Sequence, residues 1–211
     1  MKIGIIGSGD VGKSFARAFS ALGHDIKIGS RTPEKLADFV AEIGRVTAST
    51  FKETARFGEV VVMATLGVGT EEAIRLADPD SFQSKVVIDA TNPLDFSPGR
   101  PPTLAIGHQD SLGERVQRWL PNARVVKAFN TVGNPLFYKP QLKGGPPDMF
   151  ICGNDADAKK VVSQICRDFG WGVIDIGGIE SSRYLEPMCM AWVHFGILSG
   201  TWNHAFKMLR A

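Results

Sequence analysis

This 211-residue chain lacks the usual ingredients of a metal site or a disulfide framework. Its three cysteines, Cys152, Cys166 and Cys189, stand far apart, with no Cys-x-x-Cys pair and no Cys/His ligand spacing. No metal is expected, and the thiols read as buried and free in a reducing cytosol. Neither sign of charge dominates. The 24 Lys and Arg against 22 Asp and Glu leave a formal net charge of +2, and the basic residues are scattered, which disfavours nucleic acid and an anionic membrane as partners. Long apolar runs are also missing. The most apolar stretch, about 188–198, is too short to span a bilayer and reads as a buried helix with His194 satisfied in the core. Met1-Lys2 lead straight into a strand pattern, so no signal peptide and a cytoplasmic location are expected. No general acid or base stands out, since His24, His108, His194 and His204 sit in unrelated contexts, and no catalytic residue is assigned.

What is present is an alternation of short apolar runs and amphipathic stretches. Runs at 3–6, 25–29, 60–66, 85–90, 124–130, 149–152 and 172–176 read as strands. "VVVMATL" and "KVVIDA" are near-continuously apolar, as strands covered on both faces of a parallel sheet should be. Helical spacing marks 11–22, 33–43, a segment around 71–76, one opening at a Ser111–Glu114 capping box, 156–169, and 183–209. Residues 95–110, rich in proline and glycine, read as a loop. This pattern predicts an α/β fold, a doubly wound, mostly parallel Rossmann sheet with a helical C-terminal extension. The expected division is a dinucleotide-binding unit over 1–182, with extra strands, and a C-terminal helical segment over 183–211 that forms an acceptor-site or dimer contact.

"GIIGSGDVGKSF" holds Gly7-x-Gly9-x-x-Gly12, weak alone but specific where it joins a first strand to a first helix. Gly7 permits the sharp turn, Gly9 lets the backbone approach a pyrophosphate, and Gly12 lets the helix pack on the strand. The helix N-terminus then offers unpaired N–H groups to phosphate oxygens. The second strand ends in "GSRTPEK", with Ser30, Arg31 and Thr32 where an NAD site would place an acid. A carboxylate would repel a 2′-phosphate, whereas a guanidinium forks onto it and hydroxyls add neutral donors. The expected ligand is therefore NADP. Ligands of such sheets lie beyond the carboxyl ends of the strands. That singles out Thr65-Leu66-Gly67, Thr91-Asn92-Pro93 and Ala128-Phe129-Asn130-Thr131 for the nicotinamide end, with Thr65, Leu66, Asn92, Pro93, Ala128 and Asn130 as candidate contacts. With no acid or base in view, a hydride transfer resting on proximity and orientation fits best.

The stretch "GSGDVGKSFARAFSALGHDIKIGSR", with "VVIDATNP", "VVKAFNT", "FICGND" and "SSRYLEP", resembles the coenzyme F420-dependent NADP oxidoreductase family. "VKAFN", "FICGND" and "SSRYLE" are also similar to the cytoplasmic NADPH-binding domain of transmembrane ferric reductases. The resemblance implies NADP contacts from Ser8, Gly9, Asp10, Val11, Ser30, Arg31 and Thr32, with Leu66 and Ala128 flanking the nicotinamide. It further implies a second ring system near the C-terminal segment, and a homodimer. The acceptor stays open between deazaflavin (coenzyme F420), a flavin and another small molecule. Two other functions also stay open: a non-catalytic NADP-binding sensor or partner module, and a small-carbonyl or imine reductase.

Overall fold

The computed structural model describes residues 1–210. The chain runs β1 (Lys2–Ile6), α1 (Asp10–Ala21), β2 (Asp25–Gly29), a 3₁₀ turn at Pro33–Leu36, α2 (Ala37–Ile43), β3 (Val46–Ser49), α3 (Phe51–Phe57) and β4 (Val60–Met63). Then come α4 (Thr70–Ala77), β5 (Val86–Asp89), β6 (Leu94–Asp95), β7 (Thr103–Leu104), α5 (Leu112–Trp119) and β8 (Arg124–Lys127). The order closes with β9 (Asp148–Gly153), α6 (Ala156–Asp168), β10 (Gly172–Asp175) and α7 (Ser182–Ser199).

Eight strands form one sheet in the order β10-β9-β8-β5-β4-β1-β2-β3. All neighbours are parallel except β8 and β9, so the doubly wound, mostly parallel sheet is as expected. Strand order reverses between β1 and β4, which opens a crevice at their carboxyl ends. Each face of the sheet is covered, because residues along the central strands are apolar in both directions. One face packs Phe15, Phe19, Phe129, Phe137 and Phe169 into an aromatic cluster, and the other packs Phe51, Ile74, Phe82, Leu112 and Val116.

Several elements differ from the sequence reading. Residues 33–43 are two pieces, the 3₁₀ turn set by Pro33 and then α2. Strand β3 and helix α3 were not anticipated; they are four and seven residues long, too short for a clear period. Within 95–110 a two-residue ladder pairs Leu94–Asp95 with Thr103–Leu104. The capping box at Ser111 is only half made. Ser111 Oγ accepts from Glu114 N, but the Ser111 N–H donates to Asp110, and the Glu114 carboxylate takes a fork from Arg183. The predicted helix over 183–209 ends at Ser199, where Gly200 adopts a left-handed conformation. Residues 201–210 form a strap without regular secondary structure, whose Phe206 carbonyl accepts from Asp148 N.

Helix α7 is also only half buried. Leu185, Cys189 and Trp192 face inward, while Tyr184, Phe195 and Leu198 are exposed, and so is His194, which is not a core residue. All three cysteines are buried and free, as expected. Among the described residues, no helix is long and apolar enough to cross a membrane.

Polar ties join α7 to α5. Beside the Glu114–Arg183 pair, burial raises the pKa of Asp110, but hydrogen bonds from Arg118, Arg115 and the Ser111 N–H outweigh it and bring it down to about 2. A carboxyl whose folded pKa is depressed contributes stability above its unfolded value of about 3.9, lost as pH falls through the folded one. Asp110→Asn is therefore expected to flatten the acid-induced drop in melting temperature between about pH 4 and pH 2. An unchanged slope in melts across that range would discard the assignment.

Candidate dinucleotide site

The crevice beyond β1, β2 and β4 is a cleft of about 830 Å³. Its floor is the turn between β1 and α1. Gly7 has φ +123°, and a Cβ there would meet the Ala64 carbonyl oxygen at 2.3 Å. At Gly12 a Cβ would lie 2.0 Å from the Gly7 carbonyl oxygen, so the helix can approach the strand only without a side chain. Gly9 differs: nothing lies within 4 Å of the place a Cβ would take, so its backbone borders open cleft. Gly9 is also the N-cap of α1, and no side chain caps that helix. The first-turn N–H groups therefore face the cleft available for an anion. These observations fit a pyrophosphate.

The lip is built by Ser30, Arg31 and Thr32, which follow β2. Ser30 Oγ accepts from Ser8 Oγ at 3.2 Å and from the Thr32 N–H at 3.1 Å, tying the lip to the glycine turn. Arg31 is exposed, and Lys13 and Lys35 line the same end. A carboxylate does stand on the facing wall: Glu72 of α4. Arg75 grips it with bonds of 2.7 and 2.6 Å, which lower its pKa, and Arg31 adds a weaker pull in the same direction. The lip thus keeps a positive balance despite that acid.

At the other end, Leu66 and Val68 line the mouth, 82% and 78% exposed. Thr65 lies between them and the glycine turn, with its hydroxyl 2.9 Å from Thr70 Oγ1. The loops after β4 and β5 touch, because Gly67 sits where a Cβ would be 2.1 Å from the Asn92 carbonyl oxygen. Asn92 and Asn130 then lock the loops after β5 and β8 together. Asn92 Nδ2 donates to the Asn130 carbonyl at 2.8 Å, and Asn130 Nδ2 donates to Asn92 Oδ1 at 3.0 Å. Asn92, Pro93 and Asn130 therefore stand behind the cleft wall as supports.

Ala128, expected to flank the nicotinamide, is fully buried and does not line the cleft. Its N–H extends the β5–β8 pairing to Asp89, which turns its methyl into the core beside Phe129. Asp10, Val11, Ser8 and Thr32 do line the cleft; Gly12 is buried beneath it. Sequence reasoning left out Asn134, Lys35, Val68 and Glu72. For Lys35 the signal was available, as it lies four residues beyond Arg31. Asn134 had none, because it sits in an irregular loop far along the chain.

Behind the Asn92 loop lies a second group that was missed, Lys127 with Asp89 and Glu186, all within the protein interior. None of the histidines lines the cleft, and its titratable side chains, Asp10, Lys13, Arg31, Lys35 and Glu72, cluster toward the glycine turn and the lip. Among the described residues, no set of three His, Cys, Asp or Glu side chains is arranged to hold a metal ion. The arrangement can bind and orient a dinucleotide.

Comparison with known proteins agrees with this geometry. The family described as "NADP oxidoreductase coenzyme F420-dependent" matches residues 2–93. The F420-dependent NADP reductase of Methanothermobacter marburgensis is 30% identical over 223 residues, covering 99% of this chain and 98% of that protein. The metalloreductase STEAP3 of Rattus norvegicus is 30% identical over 191 residues, covering 89% of this chain but 36% of its own length, so the chain spans about a third of that relative. A crystal structure from Arthrobacter sp. FB24, provisionally assigned as an F420-dependent NADP reductase, shares 38% identity with a TM-score of 0.96 over 100% of both chains. A glycine-built turn, a basic lip and near end-to-end similarity to such reductases lead to one conclusion: the chain belongs to the coenzyme F420-dependent NADP oxidoreductase family.

Proposed function

We propose that this chain is an NADP(H)-dependent oxidoreductase that passes hydride between NADP and a deazaflavin or flavin-like ring. The observation that carries the reading is the pairing, in one cleft, of an uncapped helix N-terminus at Gly9 with a Ser30-Arg31-Thr32 lip. Backbone N–H groups of the first turn of α1 hold the pyrophosphate, and Ser30, Arg31 and Thr32 hold the 2′-phosphate. The nicotinamide end then falls beside Thr65 and Leu66, on loops fixed by the Asn92–Asn130 exchange. Bound NADPH supplies the hydride. The protein's part is orientation: apolar Leu66 and Val68 at the mouth give a planar acceptor something to stack against. Hydride passes from ring to ring without a protein acid at the transferring carbon, and the proton that completes the acceptor's reduction is taken up from solvent. The reading includes a homodimer, with the exposed Tyr184, Phe195 and Leu198 of α7 covered by a second copy, a point decided by the native mass in solution.

The test is anaerobic consumption of NADPH by the full chain. It is expected to proceed only when F420 or a free flavin is added, and to be slower by orders of magnitude with NADH. Tight NADPH binding with no acceptor reduced would leave a binding module instead. Absence of binding to either dinucleotide would remove the reading altogether.

A further inference from the structure

We infer that Trp192, on the C-terminal helix, is a positioning residue for the pyrophosphate turn, acting through Gly133 and Asn134. The inference rests on the proposed binding of NADP(H) in the cleft.

Among the described residues, Asn134 is the one cleft-lining residue contributed from beyond β8. Its Nδ2 donates to Ser14 Oγ at 2.9 Å and approaches the Asp10 carbonyl at 3.5 Å. Both acceptors belong to the first turns of α1, the turns that offer N–H groups to phosphate. Asn134 therefore pins the amino end of α1 to the opposite half of the sheet. The residue before it, Gly133, has an extended backbone (φ −73°, ψ 142°) that any residue can adopt. What requires glycine there is a neighbour: a Cβ would lie 2.8 Å from Trp192 Cη2 and 3.2 Å from Cζ2. The indole thus rests directly on the turn that presents Asn134.

Trp192 is itself held from three sides. Its Nε1 donates to the His204 carbonyl at 2.8 Å, and His204 Nε2 donates back to the Trp192 carbonyl at 3.0 Å. The imidazole of His204 stacks on the indole at 4.6 Å, and Trp202 packs at 5.4 Å. The strap after α7 therefore clamps Trp192, Trp192 sets the height of Gly133, and Asn134 carries that setting to α1. No residue in this chain of contacts needs to touch the acceptor, and only Asn134 borders the cleft.

The experiment uses the full chain with NADPH and, separately, 2′-AMP, which reaches the Ser30–Thr32 lip but has no pyrophosphate. Gly133→Ala adds one methyl against the indole and no backbone strain. It is expected to weaken NADPH binding by about threefold to tenfold, the loss of one hydrogen bond's net contribution, while 2′-AMP affinity stays within twofold of wild type. Trp192→Phe, which removes the ring atoms nearest Gly133, is expected to restore NADPH affinity to the Gly133→Ala protein. Neighbouring substitutions that share a contact should be non-additive in this way. Asn134→Ala needs no repacking and is expected to match the loss in Gly133→Ala, so the test survives if the latter folds poorly. The inference is overturned if Gly133→Ala and Asn134→Ala bind NADPH as wild type does, if both ligands weaken equally, or if Trp192→Phe gives no rescue. A wild-type chain that binds 2′-AMP and NADPH normally leaves the functional reading standing in each of those cases; one that binds neither overturns both.

Discussion

Lys127→Met is expected to lower the melting temperature by about 6–20 °C at neutral pH. The range follows from the roughly 3–5 kcal/mol lost when one partner of a buried ion pair is removed, and from about 2–4 °C per kcal/mol for a domain of this size. Lys127 lies in the middle of the sheet with its side chain 0% exposed. Its ammonium sits 2.7 Å from Asp89 Oδ2, 3.1 Å from Glu186 Oε1 and 2.9 Å from the Thr91 carbonyl, so all three of its protons are used. Burial alone would push its pKa down, but the two carboxylates more than reverse that and hold it above the usual lysine range. A raised lysine pKa contributes stability that is complete below the unfolded value, so neutral melts read the full effect.

Removing the ammonium leaves two buried carboxylates facing each other. Each has other duties. Asp89 Oδ1 accepts from the Thr91 N–H and hydroxyl, which shapes the start of the Asn92 loop. Glu186 accepts from the Leu112 and Gly113 N–H groups, capping α5 with a residue of α7. The cluster therefore fastens the C-terminal helix and the Asn92 loop to one point. If charge imbalance is the cause, Lys127→Met with Asp89→Asn should recover part of the loss, because one capped carboxylate then remains. A single variant that melts within about 2 °C of wild type would show that the cluster anchors nothing.

The same residues show where sequence reading succeeds and where it stops. A glycine turn is legible because its spacing and its place between a strand and a helix follow from backbone geometry alone. Ser30-Arg31-Thr32 was legible because it sits at a fixed step from that turn along the second strand. Alternation of apolar runs gave the sheet, since strands buried on both faces can hardly read otherwise. The contents of the interior were less visible. Lys127 in "RVVKAFN" and Asp89 in "VVIDA" are charges inside apolar strands, and that pairing hints at a buried ion pair, but Glu186 comes from a helix 59 positions after Lys127, beyond any local pattern. Helix α3 had a signal that went unused, the Thr50–Glu53 capping box, which forms fully. The similar box at Ser111 formed halfway, because Arg183, 69 positions away, competes for Glu114. Ala128 was expected at the ring and lies in the core, since how far a strand's pairing runs past its last apolar residue is decided by its neighbours in the sheet.

Arg31→Ala is expected to weaken NADPH binding by roughly 10- to 150-fold, the span given by about 1.5–3 kcal/mol for a hydrogen bond to a charged group, while NADH binding changes by less than about threefold. The asymmetry is the argument. Arg31 is exposed on the lip, so its charge is expected to act mainly on the group that only one of the two dinucleotides carries. Ser30 stays in place without it, because its hydroxyl is held by Ser8 and by the Thr32 N–H. Thus the variant removes the cation and leaves the neutral donors. Glu72 sharpens the expectation: with Arg31 gone, a 2′-phosphate would face that carboxylate with one cation fewer to offset it, Arg75 still gripping it and Lys13 and Lys35 lining the same end. The exposed position of Arg31 adds a second signature, since solvent-exposed charges are screened over about 10 Å at 0.1 M salt. Wild-type affinity for NADPH should therefore fall with rising salt more steeply than that for NADH, and Arg31→Ala should bring the two slopes together. Titration of both dinucleotides at two ionic strengths checks this. Equal losses for the two ligands would mean that Arg31 supports the turn as a whole and does not read the phosphate.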